Sequence, residues 1–248
     1  MRVLSYNICR GGGGKEAHLA AAIAEAQPDV VVFQEATEPR VVEALAKAAG
    51  MAQWASRPRE SLAFMSRHPV HHYAWHRPRV SRHAFLEIQP GAGEFRIFGV
   101  HLSAIYSAWT ERHRVFELRA LLAAIARHQH GFHVLTGDFN TLAPGDLLDL
   151  RKLPHRLRAL VWLSGGRIRW RTIQLILDAG YVDGYRRLHG SLSGFTFPTW
   201  SPHVRLDYVF VPAAFAERLS ECRIITGAAA AAASDHFPFL SEIDRDAD

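Results

Sequence analysis

Six short polar signatures are spaced along this chain, and most of them stand at the end of an apolar run. They are Asn7, Gln34 with Glu35, His101, Gly-Asp-Phe-Asn at 137–140, Arg-Leu-Asp-Tyr at 205–208, and Ser-Asp-His at 234–236. Together they supply carboxylates, carboxamides and imidazoles. Side chains of these types can hold a divalent metal and activate water against a phosphate ester.

The apolar runs beside the signatures predict buried strands. They read MRVLSY before Asn7, DVVVFQ before Glu35, FRIFGV before His101 and FHVLTG before Asp138. Each is rich in β-branched or aromatic residues and too short for a helix. If the strands that follow Asp207 and His236 run antiparallel to these, all six signatures meet at one rim. Polar groups gathered at one end of buried strands indicate a functional site.

In their order and in their residue types, the signatures resemble those of the endonuclease/exonuclease/phosphatase superfamily, over residues 1 to about 243. The resemblance implies a DNase I-like α/β fold, a four-layer sandwich of two packed mixed β-sheets flanked by helices. It also implies a hydrolase of phosphate esters that depends on Mg²⁺, with Mn²⁺ as a possible substitute.

Length and composition favour one domain spanning residues 1–248, because the signatures occupy both ends of the chain and neither half could hold the site alone. The hydrophobic content of 48% is ample for a large core, and two cysteines imply no disulfide framework. Without a leader-like start or a long apolar run, we expect a cytoplasmic protein, and we expect a monomer. The net charge of +5 favours a polyanionic partner.

The helices predicted from apolar periodicity alternate with the strands. We expect helices over about 15–27 and 39–49, and a third that begins at Thr110 and places Phe116 and Leu118 on its apolar side. A later helix should end at Gly180. The alanine run 228–233 is interpreted as a closely packed loop or strand.

Glu35, Asn7 and Asp235 are the predicted metal residues. An ionised carboxylate at the end of a buried strand needs a charged partner, which is either a hard cation or an arginine. The resemblance favours Glu35 as a metal ligand. Asn7 would hold a metal-bound water or steady Glu35, and Asp235 would reach the metal directly or through water.

Asp138, Asn140, His101, Asp207 and His236 are the predicted catalytic residues. Asp138 would orient or deprotonate the attacking water, and the Asn140 amide would donate to a phosphate oxygen. His236 would pair with Asp207, and either Asp138 or His236 would act as general base. By resemblance, His101 would donate to the scissile phosphate. Arg114 and Glu117 fit either a family pattern or a structural salt bridge.

A basic insertion at about 142–171 follows Asn140. From Arg151 to Arg171 it contains seven Lys or Arg and no acidic residue, with tryptophan and leucine between them. Three interpretations remain: a flap that grips nucleic acid, a segment that rests on an anionic membrane surface, or a structural insertion. On the first, Arg156, Arg158, Arg167 and Arg169 would bind the substrate backbone.

The sequence therefore predicts a nuclease that hydrolyses phosphodiester bonds of nucleic acid. The alternatives are a phospholipid hydrolase of the sphingomyelinase type, a small phosphate-ester phosphatase, and a catalytically silent binding module that kept the fold. The complete set of site residues argues against the last of these.

Overall fold

The computed structural model describes residues 1–79, 81–104, 108–128, 131–146, 158 and 170–245. Its strands are β1 (Arg2–Asn7), β2 (Val30–Gln34), β3 (Gln53–Ala55), β4 (Ala63–Ser66), β5 (His72–His76), β6 (Phe85–Gln89), β7 (Arg96–His101), β8 (His133–Asp138), β9 (Tyr181–Asp183), β10 (Asp207–Pro212), β11 (Leu219–Ile224) and β12 (Phe239–Ile243). Its α-helices are α1 (Glu16–Ala26), α2 (Pro39–Ala48), α3 (Ala108–Ala124), α4 (Arg171–Asp178), α5 (Gly184–His189) and α6 (Ala228–Ala233).

Across these described ranges the strands form two mixed sheets of six. The first has the order β11-β12-β1-β2-β4-β3 and the second β5-β6-β7-β8-β10-β9. In each sheet one central pair is parallel, β1 with β2 and β7 with β8, while the other neighbours are antiparallel. The central strand β2 reads VVVFQ and is buried on both faces, as expected of a strand covered on each side.

Three apolar clusters separate the layers. One lies between the sheets, where Val32 and Phe64 of the first sheet meet Leu86, Ile97 and Val134 of the second. A second cluster joins the outer face of the first sheet to α1, α2 and α6. A third joins the outer face of the second sheet to α3 and α4. The order helix, sheet, sheet, helix confirms the predicted four-layer sandwich.

Two local predictions were wrong. The alanine run 228–233 forms helix α6, in which Ala230 and Ala233 are buried in the cluster under α1. Alanine has the strongest helix propensity and its small side chain permits this close packing. Phe116 is 57% exposed, whereas Leu118 is buried. Residues two positions apart in sequence are rotated by about 200° around the axis of an α-helix, so these two side chains face opposite directions.

The predicted basic insertion falls mostly outside the described residues, as do Arg156, Arg167 and Arg169. Arg158 is described, but its neighbours in sequence are not. Among the described helices, none combines the length and the apolar character that a membrane span requires.

Candidate active site

Three signatures are adjacent through backbone pairing alone. Asp138 is the last residue of β8, where it pairs with His101 of parallel β7 and with Asp207 of antiparallel β10. All three side chains are nearly inaccessible to solvent. The antiparallel direction of β10, on which the prediction of one rim depended, is therefore present, and it places Asp207 at the same rim as the strands that end there.

Gly137 permits this close pairing of β7 with β8. Its φ is 148°, and a Cβ at this position would lie 1.9 Å from the carbonyl oxygen of Val100. A side chain there would push β8 away from β7. The glycine before Asp138 is therefore required by the approach of the two strands.

Asn7 connects the two sheets at the rim. Its Nδ2 donates to Oδ2 of Asp138 at 3.1 Å and to Oε1 of Glu35 at 3.3 Å. The Ser234 hydroxyl donates to the carbonyl oxygen of Asn7 at 2.7 Å, which brings the Ser-Asp-His signature to the same place. β12, which follows that signature, runs antiparallel to β1 and so meets the second condition for one shared rim.

Asn140 contacts Asp138 rather than pointing away from it. Its backbone N–H donates to Oδ1 of Asp138 at 2.8 Å, and its Nδ2 lies 3.0 Å from both Oδ2 of Asp138 and the carbonyl oxygen of Leu102. Both amide hydrogens of Asn140 thus have protein acceptors. In this arrangement Asn140 orients the Asp138 carboxylate.

His236 forms a buried pair with Asp207, in which Nδ1 is 2.8 Å from Oδ2. Burial by itself would lower the pKa of His236, but the carboxylates of Asp207 and Asp138 outweigh it and raise the pKa to about 10. The two carboxylates therefore favour the imidazolium form of His236. The ring of Phe197 lies 4.8 Å from that of His236 and covers it.

Asp138 lies between two imidazoles. Its Oδ2 is 3.8 Å from Nε2 of His101 and 3.8 Å from Nε2 of His236. Burial raises the pKa of Asp138; the charge of His236 opposes this rise and that of Asp207 adds to it. A carboxyl group with a raised pKa can exchange a proton nearer to neutrality than an ordinary aspartate.

Glu35 has the surroundings of a cation ligand. Its φ is 58°, and its carboxylate accepts hydrogen bonds from Nδ2 of Asn7 and from the backbone N–H of Arg10 at 2.7 Å. No arginine or lysine side chain within the described residues forms an ion pair with it. Within that part of the chain, Glu35 therefore has no arginine side chain as a partner.

The carboxylates of Asp235 and Glu35 both act on the Cys9 thiol. Burial raises the pKa of Cys9 to about 11, and the carboxylates of Asp235 and Glu35 both add to the rise. The Ser234 hydroxyl lies 3.4 Å from Oδ1 of Asp235. The three predicted metal residues, Asn7, Glu35 and Asp235, therefore stand on the first sheet's side of the rim.

A second group on the rim also fits a metal. Ligand atoms of Asp138, Asp207 and His236 all lie within 4.8 Å of one another, which the sequence did not predict as a metal cluster. Oδ1 of Asp207 is buried and has no hydrogen-bond partner in the described part of the chain. A buried carboxylate oxygen of this kind calls for a cation or a donor. The donor set of the rim thus suits a divalent metal.

Among the described residues, Arg114 forms an ion pair with Glu111 and not with Glu117. Arg114 is fully buried, and its Nη2 is 2.9 Å from Oε2 of Glu111. Glu117 instead accepts hydrogen bonds from the backbone and hydroxyl of Ser103. Glu111 also binds Thr172, so this pair ties α3 to α4.

Ser61 and His83 are site residues that sequence reasoning missed. Ser61 Oγ contacts His101 Nδ1, and the ring of His83 stacks on that of His101. Neither residue belongs to a motif, and they precede strands as ordinary loop residues. Only the fold brings them to His101.

The chain belongs to the Endonuclease/Exonuclease/phosphatase family, whose family model matches residues 4–236. It is accordingly a divalent-metal-dependent phosphoesterase. A comparison with curated protein sequences found no significant match.

Solved structures with a similar fold include several enzymes. A 3′-5′ exonuclease from Neisseria meningitidis is 20% identical, with a TM-score of 0.74 and coverage of 98% of this chain and 100% of that one. An AP endonuclease from Archaeoglobus fulgidus is 18% identical, with a TM-score of 0.76 and coverage of 98% and 99%. A humanized TDP2 from D. rerio is 19% identical, with a TM-score of 0.67 and coverage of 97% of both chains. At these identities the likeness establishes the fold.

Proposed function

We propose that this phosphoesterase is a Mg²⁺-dependent nuclease that hydrolyses phosphodiester bonds of nucleic acid. The observation that carries the proposal is the assembly at one rim of Glu35, Asn7, Asp138 and the Asp207–His236 pair. These groups combine a cation-binding side with an acid–base side.

Glu35 would hold the metal, with Asn7 and Asp235 in support. Their oxygen donors suit a hard cation such as Mg²⁺, and Mn²⁺ can substitute for it. When bound, the cation would neutralise charge on the phosphoryl oxygens and thereby favour attack at phosphorus.

Asp138 would orient the attacking water and accept its proton. The two hydrogen bonds from Asn140 and the one from Asn7 fix the direction of its carboxylate. Its raised pKa suits a general base that works near neutrality. His236 would remain an imidazolium, held by Asp207, and stabilise the negative charge that develops on the phosphate.

His101 would donate a hydrogen bond to a phosphate oxygen. It lies beside Asp138 on the neighbouring strand, and its Nε2 is directed to the same carboxylate oxygen as that of His236. Asn140 would serve the phosphate chiefly by positioning Asp138.

Nucleic acid is supported as the substrate by two independent observations. The chain carries a net charge of +5, which raises the local concentration of a polyanion. Among proteins of the same fold, one from Neisseria is described as a 3′ phosphatase bound to a product DNA hairpin, and another as an AP endonuclease. We infer that this chain acts on nucleic acid as well.

A substrate panel tests the proposal. The purified protein would be assayed with Mg²⁺ or Mn²⁺ on single- and double-stranded DNA, RNA, a 3′-phosphorylated oligonucleotide, 5′-tyrosyl DNA, sphingomyelin and inositol phosphates. We expect the highest kcat/KM on a nucleic acid. Asp138→Asn, purified in parallel, controls for contaminating nucleases. Preference for sphingomyelin or inositol phosphates would reject the nuclease, and activity equal to that of the control would indicate a silent binding module.

A further inference from the structure

Ser61 connects the backbone of Glu35 to the ring of His101. The serine is 4% exposed and lies two residues before β4. Its Oγ accepts a hydrogen bond from the Glu35 N–H at 3.0 Å and is 2.5 Å from Nδ1 of His101. One hydroxyl therefore serves two elements of the site.

The single hydrogen of the Ser61 hydroxyl determines which ring nitrogen of His101 carries the proton. A serine hydroxyl has one hydrogen to donate, and in the described chain Nδ1 is the acceptor within its reach. If Nδ1 carried the ring proton, Oγ would accept two N–H groups and its own hydrogen would be buried without an acceptor. The hydroxyl therefore donates to Nδ1, and the ring proton stands on Nε2.

His83 restricts the ring from a second side. Its ring centroid is 4.6 Å from that of His101, with an interplanar angle of 12°. Burial, with the neighbouring His83, His236 and Arg82, holds the pKa of His101 well below its ordinary value. The His101 ring is thus held at Nδ1 by Ser61 and stacked on one face by His83.

We propose that Ser61 is a positioning residue that holds His101 in the Nε2–H tautomer, so that the ring presents a single N–H donor to the substrate phosphate. The role toward phosphate depends on the proposed function, whereas the tautomer does not. In His236 the role of Nδ1 is reversed, because this nitrogen donates a hydrogen bond to Asp207 instead of accepting one. Ser61 thus prevents His101 from serving as a second proton acceptor beside Asp138.

Nitrogen-15 NMR of histidine-labelled protein tests the tautomer directly. In the wild type, long-range couplings should show His101 with a protonated Nε2 and an unprotonated, hydrogen-bonded Nδ1 at neutral pH. In Ser61→Ala no hydroxyl donates to Nδ1, so the two tautomers should exchange. The Nδ1 and Nε2 chemical shifts should then move toward their tautomer-averaged values. A wild-type His101 that is protonated at Nδ1, or an unchanged spectrum in Ser61→Ala, would overturn the proposal.

Kinetics on bis(4-nitrophenyl) phosphate tests the role. Ser61→Ala should lower kcat about tenfold with little change in KM, the scale of one orienting hydrogen bond. Ser61→Thr, which keeps the hydroxyl, should recover most of the rate. The control is Ser66→Ala at the far end of β4, where the hydroxyl donates to the carbonyl oxygen of His68 away from the rim.

The double variant Ser61→Ala/His101→Ala decides whether Ser61 acts through His101. We expect it to be no slower than His101→Ala, since the positioned ring is already gone. A further tenfold loss would mean that Ser61 acts through Glu35, which would overturn the proposal. If the NMR result is as expected but no variant differs in turnover from Asp138→Asn, the proposed function fails while the tautomer assignment stands.

Discussion

Asp207 binds one ring nitrogen of His236, and the other ring nitrogen faces Asp138. Oδ2 of Asp207 is 2.8 Å from Nδ1 of His236, and Nε2 of the same ring is 3.8 Å from Oδ2 of Asp138. The two aspartates are direct partners across β8 and β10. His236 is therefore flanked by a carboxylate at each ring nitrogen, which stabilises its cationic form.

The pair should act as a unit in catalysis. Asp207→Ala and His236→Ala should each lose roughly 10²–10⁴-fold in kcat/KM, the scale of one acid–base or electrostatic group. The double variant should be little slower than either, because neither residue functions without the other. Steady-state rates of the four proteins complete the cycle. Losses that multiply would show that the two residues work independently.

The pH profile should report the charge on His236. Its raised pKa means that the ring stays cationic above the ordinary histidine range and loses its charge only at alkaline pH. We expect kcat/KM to fall on that alkaline side. Asp207→Asn removes the adjacent negative charge, so the pKa of His236 should drop and the alkaline limb should move to lower pH.

The measurement is kcat/KM from about pH 6 to pH 11 on a short phosphodiester, with buffers of constant ionic strength. Asp178→Asn is a suitable control, because Asp178 stands at the end of α4 and binds Gln174 rather than a site residue. An alkaline limb that stays in place in Asp207→Asn would assign it to a group other than His236.

Metal binding should depend on the charge of Glu35. Glu35→Gln keeps the shape of the side chain but removes the charge that a hard cation needs, so Mg²⁺ affinity and turnover should both fall strongly. Isothermal titration with Mg²⁺ and activity against Mg²⁺ concentration measure this. Glu43→Gln, on the exposed side of α2, should behave as wild type. Equal affinity in the two variants would remove Glu35 from the metal site.

The rim could be predicted because its residues end short apolar runs. Strand ends on one side of a sheet meet at one edge, so the positions of Asp138 and His101 followed from sequence once β7 and β8 were recognised as strands. The direction of β10 was a condition in that prediction. Its antiparallel pairing with β8 confirms it.

Contacts that depend on side-chain direction could not be predicted. Ser61 precedes β4 of the first sheet, and His101 ends β7 of the second. The two residues meet only because the two sheets pack together. Asn140 was expected to face the phosphate, but its amide is bound to Asp138 and Leu102. Apolar periodicity carries no information about such cross-sheet hydrogen bonds.

Gly137 should tolerate no side chain. In Gly137→Ala the added methyl would lie 1.9 Å from the carbonyl oxygen of Val100, so β7 and β8 must separate. The free energy of unfolding should fall by about 3 kcal/mol, and activity should fall with the displacement of Asp138. Gly50→Ala is the matched control, since Gly50 has a φ of 62° but no atom within 4 Å of the added methyl. Its cost should be about 1 kcal/mol, without loss of activity. Equal losses in the two variants would show that the contact with Val100 is unimportant.

The basic insertion should set the affinity for nucleic acid. Its cations have no part in the chemistry proposed here, because they lie outside the six signatures, but the segment that contains them begins just after Asn140. Replacing Arg156, Arg158, Arg167 and Arg169 by glutamine should raise KM on DNA. It should also reduce the slope of log KM against log salt by up to about 3.6 on double-stranded DNA, through lost counterion release.

The same variant separates nucleic acid from a membrane surface. If nucleic acid is the partner, kcat on bis(4-nitrophenyl) phosphate should remain unchanged, because so small a substrate lacks the extended phosphate backbone that the insertion would bind. If an anionic membrane is the partner, the variant should lose binding to phosphatidylserine vesicles while DNA cleavage stays as it was. The charge-matched control replaces four exposed cations elsewhere, Lys47, Arg67, Arg127 and Arg223. An equal effect of both variants on KM would attribute the salt dependence to overall charge, and no effect on either substrate would identify the insertion as structural.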